Sequence, residues 1–203
     1  MSTFTEALRQ RCTVEWERFA KGTRTETDDP QFKFVGEYWR SIGKNLDGRT
    51  VVRGIRPAWS SAFVSFVVRG AGAQNRFRYT EAHCHYVKAA TDAAAGASPT
   101  HGYVARRSSE YAPKVGDIVV AGREYAKKFD FDQAKLIHEA DSFYPSHGDI
   151  VVEVNPATGV IGGNVATDTV GRKQLRTEAD GRLKDRVVGG VAHPLIAVLE
   201  CRI

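Results

Sequence analysis

The sequence is poor in cysteine and without a long apolar run, and each shortage closes off a class of protein. Its three cysteines, Cys12, Cys84 and Cys201, lie far apart and match no CxxC or metal-ligand spacing, so neither a disulfide framework nor a bound metal is expected. Cys12 falls on the apolar stripe of a predicted helix and Cys201 in a predicted terminal strand, where both read as buried, reduced thiols. No stretch approaches the roughly 18 uninterrupted apolar residues of a bilayer span, which argues against integral membrane association. Met1-Ser2-Thr3-Phe4-Thr5-Glu6 lacks a basic segment followed by an apolar one, so synthesis in the cytoplasm without a cleaved signal is expected. Basic residues are scattered in short pairs such as Arg106-Arg107 and Lys127-Lys128. Without an aromatic-interleaved basic stripe, nucleic acid is not an expected partner.

What is present describes a folded chain. The 203 residues are 42% hydrophobic and 26% charged, enough for one domain with a real core. The net charge of +5 favours encounter with anionic partners, an anionic cell-wall polymer among them.

Leu8, Cys12, Trp16 and Phe19 recur at helical spacing behind a Thr3/Glu6 capping-box pattern, which predicts a helix over about residues 4–20. Phe34, Val35, Tyr38, Trp39 and Ile42 suggest a second helix ending at Gly43. The stretch 57–68 is apolar nearly all round, as a buried central helix should be. Thr80 is read as the cap of a further helix reaching about Ala95. The second half turns to strands: Val115–Val120, Asp149–Val154, Val160-Ile161 and Leu195–Cys201. Helices followed by an antiparallel sheet give an α+β class, with the central helix packed on a sheet containing Val119, Val151 and Val198. A single domain over residues 1–203 is expected, in which a helical extension (1–50) precedes a core (51–203).

Four segments carry chemistry, in one order: Trp59-Ser60-Ser61-Ala62-Phe63-Val64, Pro113-Lys114-Val115-Gly116-Asp117, Ser146-His147-Gly148-Asp149-Ile150-Val151, and Val160-Ile161-Gly162-Gly163-Asn164. Over roughly residues 55–170 this order resembles the CHAP family of cysteine- and histidine-dependent amidases and peptidases, within the papain-like group that includes the NlpC-type cell-wall enzymes. Those relatives carry Trp-Cys-x-Ala-Phe where this chain has Trp59-Ser60-Ser61-Ala62-Phe63. The chain resembles more closely an uncharacterised bacterial branch with Trp-Ser-x-Ala-Phe. The resemblance implies a papain-like fold, Ser60 at the nucleophile position and His147 as base.

The arrangement makes physical sense. A nucleophile at a helix N-terminus sits beside unpaired backbone N–H groups that can stabilise an oxyanion. Serine in place of cysteine changes the demand, because its hydroxyl is far less acidic and must lose its proton to a base during attack. A serine there can also simply cap the helix.

The group that orients His147 has several candidates. Asn164 lies 17 residues beyond it, resembling the family's Glu/Asn position. A plain hairpin looping through Pro156–Gly159 would instead place Asp168 opposite His147, unless a bulge at Gly162-Gly163 resets the register. Asp149 shares the strand face of His147. Asn164 ranks first and Asp149 second, while Asp117 reads as structural. Trp59 is a candidate to line the substrate groove. Ser61 points about 100° away from Ser60 on the helix. Cys84 is flanked by His83 and His85, but neighbours at i±1 on a helix face different ways, so neither is a good base for it.

By resemblance the expected substrate is an amide bond in the peptide part of peptidoglycan, hydrolysed with no cofactor. The setting would be an antibacterial effector, of the kind a type VI secretion system delivers, or a phage-type lysin. The site of action would then be the periplasm or cell wall of a target bacterium, and an immunity protein and a secretion carrier would be further partners. Two alternatives stand beside this: a papain-like fold reused as a binding module, and a hydrolase of another acyl bond.

Overall fold

A computed structural model describes residues 2–140, 142–166 and 168–203. Five α-helices are described: α1 (Thr3–Arg18), α2 (Gln31–Ser41), α3 (Ser60–Gly70), α4 (His83–Ala94) and α5 (Phe131–Glu139). The strands are β1 (Tyr103–Arg106), β2 (Ile118–Gly122), β3 (Ser146–Glu153), β4 (Thr158–Val165), β5 (Thr169–Leu175), β6 (Arg186–Val188), β7 (Val191–His193) and β8 (Ala197–Cys201). Six of them form one sheet in the order β1-β8-β2-β3-β4-β5, and β6 and β7 form a separate hairpin. Every pairing is antiparallel. The chain is an α+β protein. Among the described residues no helix is long and apolar enough to cross a membrane.

The period of two sorts the strand side chains onto two faces. Ile118, Val120, Ile150, Val152, Ile161 and Leu199 join the large core beneath the helices. Val119, Val151, Val160 and Val198 face the other way, into a smaller cluster closed by Leu183 and Leu195. The expected valines are thus in the sheet but point away from the central helix. That helix, α3, buries Ala62, Phe63, Val64, Val67 and Val68 in the large core. Phe4, Leu8 and Cys12 of α1 and Val35, Tyr38 and Trp39 of α2 join the same cluster, so the N-terminal helices share a core with the sheet.

Several boundaries move for local reasons. Ser2, not Thr3, caps α1 by accepting from the Thr5 N–H, and Glu6 pairs with Arg9 instead of closing a capping box. Helix α4 begins at His83, because the Thr80 hydroxyl accepts from the Ala82 N–H in a short turn before the helix. The β3–β4 register pairs Ile150 with Ile161 and Val151 with Val160, with its irregularity between Val151 and Glu153, while the irregularity that follows Gly162 falls in the β4–β5 pairing. The connecting loop lies two residues earlier than Pro156–Gly159, so continuing this register sets Asn164, not Asp168, across from His147.

Candidate functional site

Ser60 is the first residue of α3, and the first intrahelical bond runs from the Phe63 N–H to the Trp59 carbonyl. The N–H groups of Ser60, Ser61 and Ala62 are therefore among those a helix leaves without an internal partner. The cap position belongs to Trp59, which makes no side-chain capping bond, so Ser60 is not the helix cap. Its hydroxyl lies 2.6 Å from Nε2 of His83.

That pairing is built by the neighbours of both residues. Ser61 and Ser65, one helical turn apart on α3, each donate to the Thr80 carbonyl, at 2.9 and 3.1 Å. They fix the chain three residues before His83 and aim the start of α4 at the start of α3. Tyr86 follows His83 by three residues, on the same face of α4, and its hydroxyl meets His83 Nδ1. With the proton on Nδ1, His83 donates to Tyr86 and accepts from the Ser60 hydroxyl, the tautomer a general base needs. Gly148 makes room for this contact, since a Cβ there would stand 3.0 Å from His83 Nδ1 and closer still to the Tyr86 hydroxyl.

His147, expected as the base, makes no hydrogen bond to Ser60 among the described residues. Both of its ring nitrogens are engaged elsewhere: Nδ1 lies 2.8 Å from Arg123 Nη2, and Nε2 lies 3.0 Å from Asp149 Oδ1. Strand parity is the reason. His147 and Asp149 share their face with Val151 of the smaller cluster, whereas Gly148 shares the helix side with Ile150. The two imidazoles still approach to 5.6 Å between ring centroids. Because arginine only donates, His147 Nδ1 is the acceptor and Nε2–H donates to Asp149. Asp149 is held further by Lys173, at 2.8 Å.

The other expected residues are placed as follows. Asp149 contacts His147, and the side chain of Asn164 turns instead to Asp168, at 3.3 Å. Asn164 has a positive φ, and its carbonyl accepts from Arg123. Trp59 is 1% exposed, stacks on Phe19 and donates to Glu26, so it is a core residue and not a groove wall. Cys84 is buried at the start of α4 with its thiol pushed up by desolvation. Asp117 accepts from the backbone N–H groups of Lys114 and Cys201, as a structural residue does. Among the described residues no group of three or more His, Cys, Asp or Glu side chains could hold a metal ion.

A cleft of about 180 Å³ opens onto this constellation, and Ser60, His83, Arg123, Phe143 and Tyr144 are among the residues lining it. Among known families, the model described as "Uncharacterized protein conserved in bacteria (DUF2272)" matches residues 11–200. The chain belongs to this family. No curated protein and no solved structure matches it. The DUF2272 match spans all the elements that build the cleft, including the His83 segment that the serine motif alone does not reach.

Burial governs the protonation of the site. Desolvation holds His83 well below the usual histidine range, with the charges of His147 and Arg123 acting the same way. Desolvation likewise lowers His147, against the opposing pull of Asp149. Burial alone would raise Asp149, but His147 and Lys173 outweigh it and hold the carboxylate below its usual range. Elsewhere, burial takes His138 down to about 4.

A folded pKa below the unfolded one means stability that is complete above the unfolded value and lost as pH falls towards the folded value. For the histidines that loss starts near pH 6.5. From its shift to about 4, His138 alone accounts for about 2 kcal/mol by pH 5. Asp117, raised by burial to about 6, has the opposite sign and returns about 1 kcal/mol between pH 7 and 5. With His83 and His147 added, the melting temperature should fall clearly from pH 7 to pH 5, and His138→Gln should shrink the fall. A flat profile over that range would contradict neutral, buried histidines.

Proposed function

We propose that this protein is a serine acyl hydrolase of papain-like design. Ser60 is the nucleophile, His83 takes its proton, and Tyr86 orients the His83 ring. The observation that carries this reading is the 2.6 Å contact between Ser60 Oγ and His83 Nε2 at a helix N-terminus on a cleft. Attack by the hydroxyl on an acyl carbon would pass its proton to His83 Nε2, and the free N–H groups at the start of α3 would receive the developing oxyanion. The imidazolium would then protonate the leaving group, and water would release the acyl enzyme with His83 again as base. The sequence resemblance favours an amide in the peptide part of peptidoglycan as substrate, and with it a role as an antibacterial effector or lysin acting at the cell wall.

One observation favours the binding-module reading. Ser60 and His83 are 3% and 4% exposed, as a purely structural hydrogen bond would be. Labelling separates the two. A small fluorophosphonate should modify the wild-type protein once, at Ser60 by peptide mapping, and leave Ser60→Ala unmodified, while purified peptidoglycan should be cleaved by the wild type only. A folded wild type inert to both reagents would leave the serine as a packing residue.

A further inference from the structure

Arg123 is a part-buried cation at the cleft. It follows β2 directly and lines the same cleft as Ser60 and His83. Its Nη2 reaches His147 Nδ1 at 2.8 Å and the Asn164 carbonyl at 3.3 Å. Both contacts are to neutral acceptors. Among the described residues no carboxylate lies within 4.0 Å of it, and unlike the other arginines without an ion pair it lines the cleft of Ser60 and His83.

Among the described residues the acids near the cleft make no ion pair with it, and Asp149, Glu124 and Asp168 act on its charge only from a distance. Glu81 is tied to Lys44 at 3.0 Å, and Glu124 lies exposed at the rim. Asp149 is taken by His147 and Lys173. A second guanidinium adds to the local positive charge: Arg186 donates to the carbonyl of Gly122, next to Arg123, and its buried Nε has no partner among the described residues. Partial burial lowers the pKa of both arginines, so each charge is held at a desolvation cost.

The fold therefore fixes a guanidinium through the series Lys173–Asp149–His147–Arg123, and its Nε and Nη1 donors have no protein partner among the described residues. A planar fork of this kind suits bidentate recognition of a carboxylate. We infer that Arg123 is a specificity residue that binds a carboxylate group on the acyl substrate beside the bond Ser60 attacks. His147, Asp149 and the Asn164 carbonyl are positioning groups for it. This rests on the Ser60 hydrolase reading and narrows its substrates to those with an anionic group near the scissile bond.

The test uses two activated esters that differ in one charge: mono-p-nitrophenyl glutarate and its methyl ester. Acylation of Ser60 is followed as p-nitrophenolate release and by mass. Wild type should prefer the free acid by at least about tenfold, roughly what one well-placed charged hydrogen-bond pair supplies. In Arg123→Gln the preference should collapse towards unity, and Arg123→Lys should retain part of it, with melting curves confirming that both variants fold. Equal reactivity of the two esters in the wild type, including no reaction with either, would overturn the inference, as would an equal loss on both in Arg123→Gln. If the fluorophosphonate still labels Ser60 in those cases, only the carboxylate subsite fails. Absence of labelling removes the hydrolase reading itself.

Discussion

Replacing His83 by alanine is expected to lower turnover by about 10²–10⁴-fold, the usual contribution of a positioned general base. Adding Ser60→Ala to His83→Ala should cost little beyond the larger single effect, because nucleophile and base act as one unit. His147→Gln should weaken activity by less, and mostly through KM, since its Nδ1 faces Arg123 and not the serine. The ranking is the decisive measurement. If His147→Gln abolishes turnover and His83→Ala is mild, the base is the histidine implied by the CHAP resemblance, and the Ser60–His83 contact is a resting arrangement. Because His83→Ala also leaves the Tyr86 hydroxyl without its partner, His83→Gln, with matched melting curves, is the cleaner comparison. A pH profile adds an independent reading. A base must be unprotonated, so activity is present above its folded pKa and lost below. With His83 held well below the usual range by burial, the acid limb of kcat/KM should lie well under pH 6.5.

The sequence makes the helix side of the site legible and the strand side only partly so. Ser60 could be placed at the head of a buried helix because apolar residues crowd every face of 62–68 and a serine motif precedes them. His83 was hidden by a local argument that was correct but too narrow. It is a poor base for Cys84, its neighbour, yet helical spacing puts it on one face with Tyr86, and only the tie from Ser61 and Ser65 to Thr80 brings that face to Ser60. His147 and Asp149 were correctly read as sharing a strand face, but not which face, because Gly148 gives no apolar signal to set the parity. Asn164 stands opposite His147 in the continued register while its left-handed backbone sends the side chain to Asp168. The helix α5 was missed although Asp130 and Gln133 form a reciprocal capping box. The strand β5 escaped because Arg172, Lys173 and Gln174 at the open sheet edge break its apolar alternation.

Gly162→Ala is expected to destabilise the protein by about 1–3 kcal/mol, as overpacking of a filled site does. One step beyond the Ile150–Ile161 pair, Gly162 lies across from Asp149, and a Cβ there would stand 1.9 Å from Asp149 Oδ1. An exposed carboxylate could swing aside at little cost. Asp149 cannot, because His147 at 3.0 Å and Lys173 at 2.8 Å hold its two oxygens and it is 6% exposed. Displacing it breaks both contacts and releases His147 from the tautomer that accepts from Arg123, so the acid preference proposed for the cleft should weaken along with stability. For a chain of this size each kcal/mol lowers the melting temperature by about 2–4 °C. Asp149→Ala should also destabilise, by leaving His147 and Lys173 without their shared partner. The two changes should not add: removing the carboxylate removes the clash, so the double variant should be more stable than the sum of the singles predicts by about 1 kcal/mol or more. Simple additivity, or a neutral Gly162→Ala, would mean that the carboxylate does not fill the space above Gly162 and that the series Lys173–Asp149–His147–Arg123 does not exist as a unit in solution.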